Sequence, residues 1–263
     1  RGSLLVQHRN DWIDNTQVAG DDNLGGYDET AGRFQLLFNP SDDLDILLNV
    51  HARNLVGTSA IFRANVITTG TDGLNSNYRR RTVSYHQGGG NPQEYSGWGA
   101  SANINYDFGD MVLTSITAYE QTEGFSRGDI DGGIAGVGPG FIPFDSDTQD
   151  GIDDLDQTTQ EIRLASDTDN RLSWQGGVYW FDSSFSITTV GPFGFPPSTT
   201  VEHENTSWAL FGQVSYDLTD ALSLTGGLRY TDDDKDFSVA GAPANNRTVS
   251  DDHVSWDVSA MYD

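Results

Sequence analysis

Over most of its length the chain alternates apolar and polar side chains at a period of two, and no comparable stretch repeats at a helical period. Successive side chains of a strand point to opposite faces, so each such run specifies a strand with one apolar and one polar face. One apolar set is Ile46, Leu48, Val50 and Ala52; a second is Ala100, Ala102, Ile104, Tyr106 and Phe108; a third is Leu172, Trp174, Val178 and Trp180. The pattern returns in Trp208, Leu210, Gly212, Val214, Tyr216 and Leu218, in Leu222, Leu224, Leu228 and Tyr230, and in Val254, Trp256, Val258, Ala260 and Tyr262. The slots between them are polar, with Asp45, Gln175, Gln213, Ser215, Thr225, Arg229, Asp257 and Ser259. A chain written this way folds as antiparallel sheet.

The connections are of two kinds that alternate along the chain. Short acidic turns fall at Asn39–Asp43, Phe108–Asp110, Asp167–Asn170 and Asp217–Asp220; long Gly-rich or polar stretches fall at about Gly57–Tyr95, Gly124–Leu155, Gly191–Glu202 and Gly241–Ser250. Strict alternation of short and long is what up-and-down strands between a tight rim and an elaborated rim produce. The segments between these connections amount to roughly ten strands of about 9–14 residues, longer than the common 5–6 of soluble sheets.

Length and alternation leave the solvent of the apolar face undecided, since a soluble sandwich alternates as well. Two features favour lipid. The apolar slots carry no Asp, Glu, Lys or Arg, and a bilayer crossing by tilted strands needs about 9–11 residues each. Aromatic residues cluster at strand ends, with Phe38, Tyr106, Phe108, Tyr216 and Tyr262 beside short turns and Tyr119, Trp180, Trp208 and Tyr230 toward the long connections. Such belts match the two membrane interfaces. The expected fold is all-β: an antiparallel up-and-down transmembrane β-barrel portion, with short periplasmic turns and long extracellular loops. A formal charge of -25 makes nucleic acid an unsuitable partner, and zero Cys removes thiolate chemistry. The five His show no metal-protease spacing.

The segments Gln160–Ser166, Leu172–Tyr179, Ala209–Thr219 and Gly226–Thr231, with Phe38–Leu44 earlier, resemble the barrel of TonB-dependent outer-membrane receptors. The resemblance spans nearly all of the chain, residues 1–263. It implies a partial barrel domain, the middle of a barrel of about 22 strands, without plug domain, TonB-contacting box or terminal strand. It also implies a bacterial outer-membrane location beside lipopolysaccharide, coupling to the TonB complex through the regions not present, and uptake of a small nutrient such as a ferric siderophore, with no enzyme activity. Two alternatives stay open: a complete ten-stranded outer-membrane hydrolase and a soluble calcium-dependent glycan-binding sandwich.

Two clusters qualify as sites. Asp145, Asp147, Asp150, Asp153 and Asp156 have the close spacing by which a loop wraps calcium, although Gly151 is one place late and no Glu closes the loop. Arg79, Arg80 and Arg81 form the one basic run, near Tyr85 and His86, and guanidinium forks suit the oxygens of an anionic chelate. The first is a candidate calcium loop, with a solvated acidic loop as the alternative reading; the second is a candidate for ligand capture, with contact to lipopolysaccharide phosphate or no partner at all as the alternatives.

Overall fold

A computed structural model describes residues 1–16, 23–85, 91–134, 136, 147–167, 170–191 and 198–262. The strands are β1 (Gly2–Arg9), β2 (Ile13–Asn15), β3 (Asn23–Leu24), β4 (Tyr27–Ser41), β5 (Leu44–Thr58), β6 (Thr82–Val83), β7 (Pro92–Asp107), β8 (Met111–Asp129), β9 (Asp147–Ser166), β10 (Leu172–Val190), β11 (Thr199–Thr219), β12 (Leu222–Val239) and β13 (Arg247–Tyr262). Ten of them form one antiparallel sheet in the order β1-β4-β5-β7-β8-β9-β10-β11-β12-β13. β1 and β13 each pair on one side only, so the sheet does not close on itself as a ten-stranded barrel would.

The register joins the sequence-defined apolar sets into one face. Directly paired residues share a face of a sheet, and Phe38, Ile46, Ile104, Ser115, Ile162, Val178, Leu210, Tyr230 and Val254 form a single row of such partners across nine strands. The face is bare. Leu210 is 56% exposed and Val258 72%, and among the described residues no second sheet or helix lies over them. In water a continuous apolar face of this size would drive association, and a sandwich would have buried it. With lipid as solvent the same exposure is the stable arrangement, because the strands satisfy one another's backbone groups.

The opposite face is polar, as the row Asp45, Asn105, Thr114, Arg163, Gly177, Phe211, Arg229 and Ser255 shows. Trp98 with Tyr119 and Trp208 with Tyr230 are packed ring pairs, 5.2 and 5.4 Å between centroids, that mark one interface belt. Tyr106 against Phe108, 4.6 Å apart at a short turn, belongs to the other.

Strand lengths depart from the expectation. β4 has 15 residues, β8 has 19, β9 has 20 and β11 has 21. The stretch Gly124–Leu155, expected as a loop, is strand up to Asp129 and again from Asp147. The reason is that these strands continue past the aromatic belt into water, where both faces are polar and apolar alternation has no cause to appear. On this stem the outward slots hold carboxylates paired with hydroxyls on the next strand: Thr206 donates to Asp182 at 2.9 Å, Ser238 to Glu202 at 3.1 Å and Ser186 to Asp154 at 3.2 Å, and Ser250 and Thr248 donate to Asp234 and Asp236. Asp153 has no partner in either ladder of β9 and forms a bulge there.

A small second sheet, in the order β3-β2-β6, sits on the long-loop side. The residues between β5 and β7, expected as a loop, fold with those between β1 and β4 to make it. Its core is Ile13, Leu24, Val83 and Tyr85, with Ile61 packed against them. Apart from Ala209 these are the buried hydrophobic residues among those described. Backbone bonds from Asp14 to Arg81 and from Thr16 to Val83, 2.8 and 2.9 Å, join its parts. At Gly25 the backbone has a φ of +95°, and a Cβ there would lie 2.6 Å from the Trp12 indole nitrogen, so glycine is required. We call this unit the knob.

Candidate functional site in the lumenal wall and rim

The polar face of the sheet is built from long side chains laid over glycines. A Cβ at Gly99 would lie 2.1 Å from a Glu120 carboxylate oxygen. That missing Cβ lets Glu120 on β8 reach across β7 to His51 on β5, with Nε2 to Oε2 at 3.2 Å. Gly177 does the same for the Phe211 ring, whose tip would be 2.7 Å from a Cβ. Arg229 then lies over Tyr179 and Phe211, at 5.6 and 5.8 Å from the ring centroids, and its Nε donates to Thr231 at 3.0 Å. Arg53 donates to Glu29 at 2.7 Å and covers Tyr95 at 5.2 Å.

Higher on the same face, His203 stacks on Phe185, 5.1 Å between centroids at an interplanar angle of 18°. Lys235 lies 3.6 Å from Asp233. His203 Nδ1 and Asn205 Oδ1 are buried and have no hydrogen-bond partner among the described residues, and the same holds for Asn49 Oδ1 and Asn103 Oδ1 lower down. Buried polar atoms are normally hydrogen-bonded, so these four mark places where the wall has bonding capacity to spare. This wall therefore offers imidazole, ammonium and guanidinium groups backed by aromatic rings. The sequence carried a usable signal for it: Tyr179, Phe185, Phe211 and Phe237 are aromatic residues in polar-face slots, out of step with the interface belts.

The residues of the two expected sites lie on different parts of the fold. Asp147, Asp150, Asp153 and Asp156 lie on β9, and Asp145 lies outside the described residues. An extended strand spreads side chains along its length where a cation-binding loop would gather them. Asp150 accepts from Thr189 at 2.7 Å, Asp153 from Thr188 at 2.5 Å, and Asp156 from the Tyr119 hydroxyl. Among the described residues no group of three or more His, Asp or Glu side chains is placed to hold a metal ion.

The basic run also does not act as one unit. Arg79 Nη1 is bound to the Tyr78 carbonyl at 3.0 Å and to that of Ser76, while Arg63 donates to the carbonyls of Arg79 and Arg80 at 3.2 and 3.1 Å. Tyr85 is 1% exposed in the knob core and its hydroxyl donates to the Phe62 carbonyl at 2.6 Å. Burial, then the nearby Asp129 carboxylate, pushes its phenol well above the ordinary value. Tyr85 is thus a structural residue where ligand contact was expected, because an aromatic residue in a long connection gives no sign in sequence of the core that folds around it. His86 lies outside the described residues.

Outward apolar rows, two aromatic belts, a polar inner face and an elaborated rim together define part of the wall of a membrane-spanning β-barrel. The model of the family described as TonB dependent receptor-like, beta-barrel, matches residues 39–263, and the chain belongs to that family. Solved structures agree on the fold. The ferric yersiniabactin uptake receptor FyuA from Yersinia pestis superposes with a TM-score of 0.71 at 20% identity, over 99% of this chain and 39% of that one. The siderophore receptor PiuA from Acinetobacter baumannii gives 0.68 at 11% identity, over 99% and 42%. The copper transporter OprC gives 0.65 at 12%, over 100% and 37%. The chain thus spans roughly two fifths of the length of these structures. Curated protein sequences include no match to it.

Proposed function

We propose that this chain forms part of the wall of an outer-membrane receptor that imports a scarce nutrient as a metal chelate, most simply a ferric siderophore, with the transport step energised through TonB by other parts of the receptor. The observation that carries the reading is the family match over residues 39–263. The chemistry of the inner face supports the choice of cargo. Siderophore complexes are commonly anionic or aromatic, and Arg229 over Tyr179 and Phe211 and His203 on Phe185 offer both complements on one surface. Arg80 and Arg81 stay exposed on the knob and add a local positive field at the mouth of a strongly acidic protein. A field of that kind acts mainly on the association rate.

The test is uptake of radiolabelled iron chelates by cells with and without the full-length receptor, under iron limitation. The expected result is loss of uptake of one chelate on deletion, rescue by the wild-type receptor, and at least a tenfold weaker rescue by a receptor carrying Arg229→Ala with Phe185→Ala, as two lost contacts of about 1 kcal/mol or more would give. Deletion that spares every ferric chelate and abolishes uptake of cobalamin or a glycan would overturn the choice of cargo and leave the family intact.

A further inference from the structure

The outward face carries a groove at the level of the upper aromatic belt. Across β4, β5 and β7 the outward side chains shrink to Gly32, Ala52 and Ser96, while Leu4 on β1 and Trp98 stand up on its flanks. The hollow measures about 550 Å³. A second hollow of about 430 Å³ continues it up the stem, sharing Asn54, Ser96 and Glu123 with the first and adding Glu94 and Asp153. Both lie within the roughly 300–1,000 Å³ of small-molecule sites. The lower hollow is apolar along Leu4, Gly32, Ala52 and Trp98, where the register puts lipid, and polar at its upper edge, where Thr30, Asn54, Glu123 and Asp154 line it; the upper hollow is polar and lies above the belt, in water. That polarity, apolar below and polar above along the membrane normal, is the polarity of a lipid standing in the outer leaflet.

The upper hollow also selects a headgroup. No Lys or Arg lines it, and Arg53, which borders the lower hollow, turns its guanidinium to Glu29 on the inner face. Phosphate therefore meets Glu94, Glu123 and Asp153 without a counter-charge. Carboxylates only accept hydrogen bonds, whereas the Asn54 amide both donates and accepts; the Ser96 hydroxyl donates to Glu123 at 3.0 Å and still offers lone pairs as an acceptor. Sugar hydroxyls match this mixture, and an ammonium, which only donates, matches half of it. Trp98 is fixed as a wall by its indole N–H, which donates to Gln121 at 2.9 Å. We infer that the groove holds one outer-leaflet glycolipid, an acyl chain along Gly32, Ala52 and Trp98 and an uncharged sugar headgroup against Asn54, Ser96, Glu94 and Glu123.

The experiment uses the full-length receptor in lipid nanodiscs containing either a neutral glycosyl diacylglycerol or phosphatidylglycerol, each with brominated acyl chains. Bromine quenches nearby tryptophan, and subtracting the signal of Trp98→Phe isolates Trp98. The expected result is saturating quenching of Trp98 by the glycolipid at roughly a tenfold lower mole fraction than by phosphatidylglycerol, a preference of one decade in affinity. Gly32→Leu with Ala52→Leu should abolish that preference by filling the groove; a Cβ at Gly32 meets nothing nearer than the Ser3 carbonyl at 3.9 Å, so the backbone has room for it. Glu94→Lys with Glu123→Lys, on the stem and outside the bilayer, should turn the preference toward phosphatidylglycerol, and this pair decides the matter where the filled variant fails to assemble. Equal quenching by the two lipids, or a glycolipid preference unmoved by the lysine pair, overturns the inference.

Discussion

The knob and the wall place the same kinds of residue in opposite positions. In the knob, Ile13, Leu24, Val83 and Tyr85 turn inward and lose nearly all contact with solvent. In the wall, Leu210, Val214, Leu228 and Trp256 turn outward and stay exposed. The knob is in water, so its apolar side chains must cover one another, and a cluster this small is supplemented by hydrogen bonds such as Asn15 to the Tyr85 carbonyl at 2.9 Å and Tyr85 to Phe62. The wall needs no core because lipid covers it, and its cohesion comes from strand pairing. Burial is therefore a poor guide to importance in this molecule unless the solvent on each side is known.

The comparison can be broken most forcefully at Tyr85. Truncating a buried aromatic residue to Ala costs about 3–5 kcal/mol, more than a four-residue cluster can spare, so Tyr85→Ala should unfold the knob alone. Hydrogen exchange on the full-length receptor should show lost protection at the amides of Trp12, Asp14 and Thr16, which donate to Leu24, Arg81 and Val83, with β10–β12 unchanged; lost protection in those strands as well would mean that the two regions are one cooperative unit. Next in size is Leu210→Arg or Val214→Arg, where a cation at the bilayer midplane costs about 2–4 kcal/mol. Membrane assembly, read as heat-modifiable migration, should fall for these and hold for Gln213→Arg or Ser215→Arg on the inner face. Equal damage from both sets would remove the assignment of faces.

A smaller effect is expected at Gly25→Ala. The added Cβ meets the Trp12 indole in a backbone conformation with positive φ, and the strain of such a site is about 1–3 kcal/mol, enough to loosen the knob and raise proteolysis within it without altering assembly. The smallest concerns His8 at the top of β1. Its imidazole pKa is raised above the ordinary value, first by the hydrogen bond to Asp28 at 2.7 Å and then by that to Asn10. A raised folded-state pKa gives stabilisation that is complete below the unfolded value near 6.5 and is lost as pH rises through the folded one. NMR titration should show Asp28→Asn moving His8 back toward 6.5, and an unmoved titration would discount the pair.

Much of the wall was legible because lipid imposes alternation on every residue that faces it. The sets containing Leu48, Ile104, Val178 and Leu210 emerge from sequence with their facing intact, and the register joins them, its shifts lying beside the short turns and up the stem. Legibility ends at the aromatic belt. Above it Asp182, Thr206, Asp234 and Ser250 are as regularly paired as anything below, yet polar residues on both faces look like loop, and the stretch around Asp150 and Asp153, which is strand, reads in sequence as an acidic connection. The knob was hidden for a different reason: its core joins residues near position 13 to residues near position 83, and no local pattern announces so distant a contact. Likewise Glu120 and His51 meet only because Gly99, on a strand between theirs, has no side chain.

The stem's chemistry has a consequence for ionic strength. Its outward carboxylates are tied to Thr and Ser hydroxyls, as in Asp182 with Thr206 and Glu202 with Ser238, and a hydroxyl carries no charge for salt to screen. What salt does screen is the mutual repulsion of the carboxylates, since the Debye length shrinks from about 10 Å at 0.1 M to about 3 Å at 1 M. A structure held by ion pairs loosens as salt rises. This stem gains from it, so brine steadies the part of the receptor that stands outside the cell.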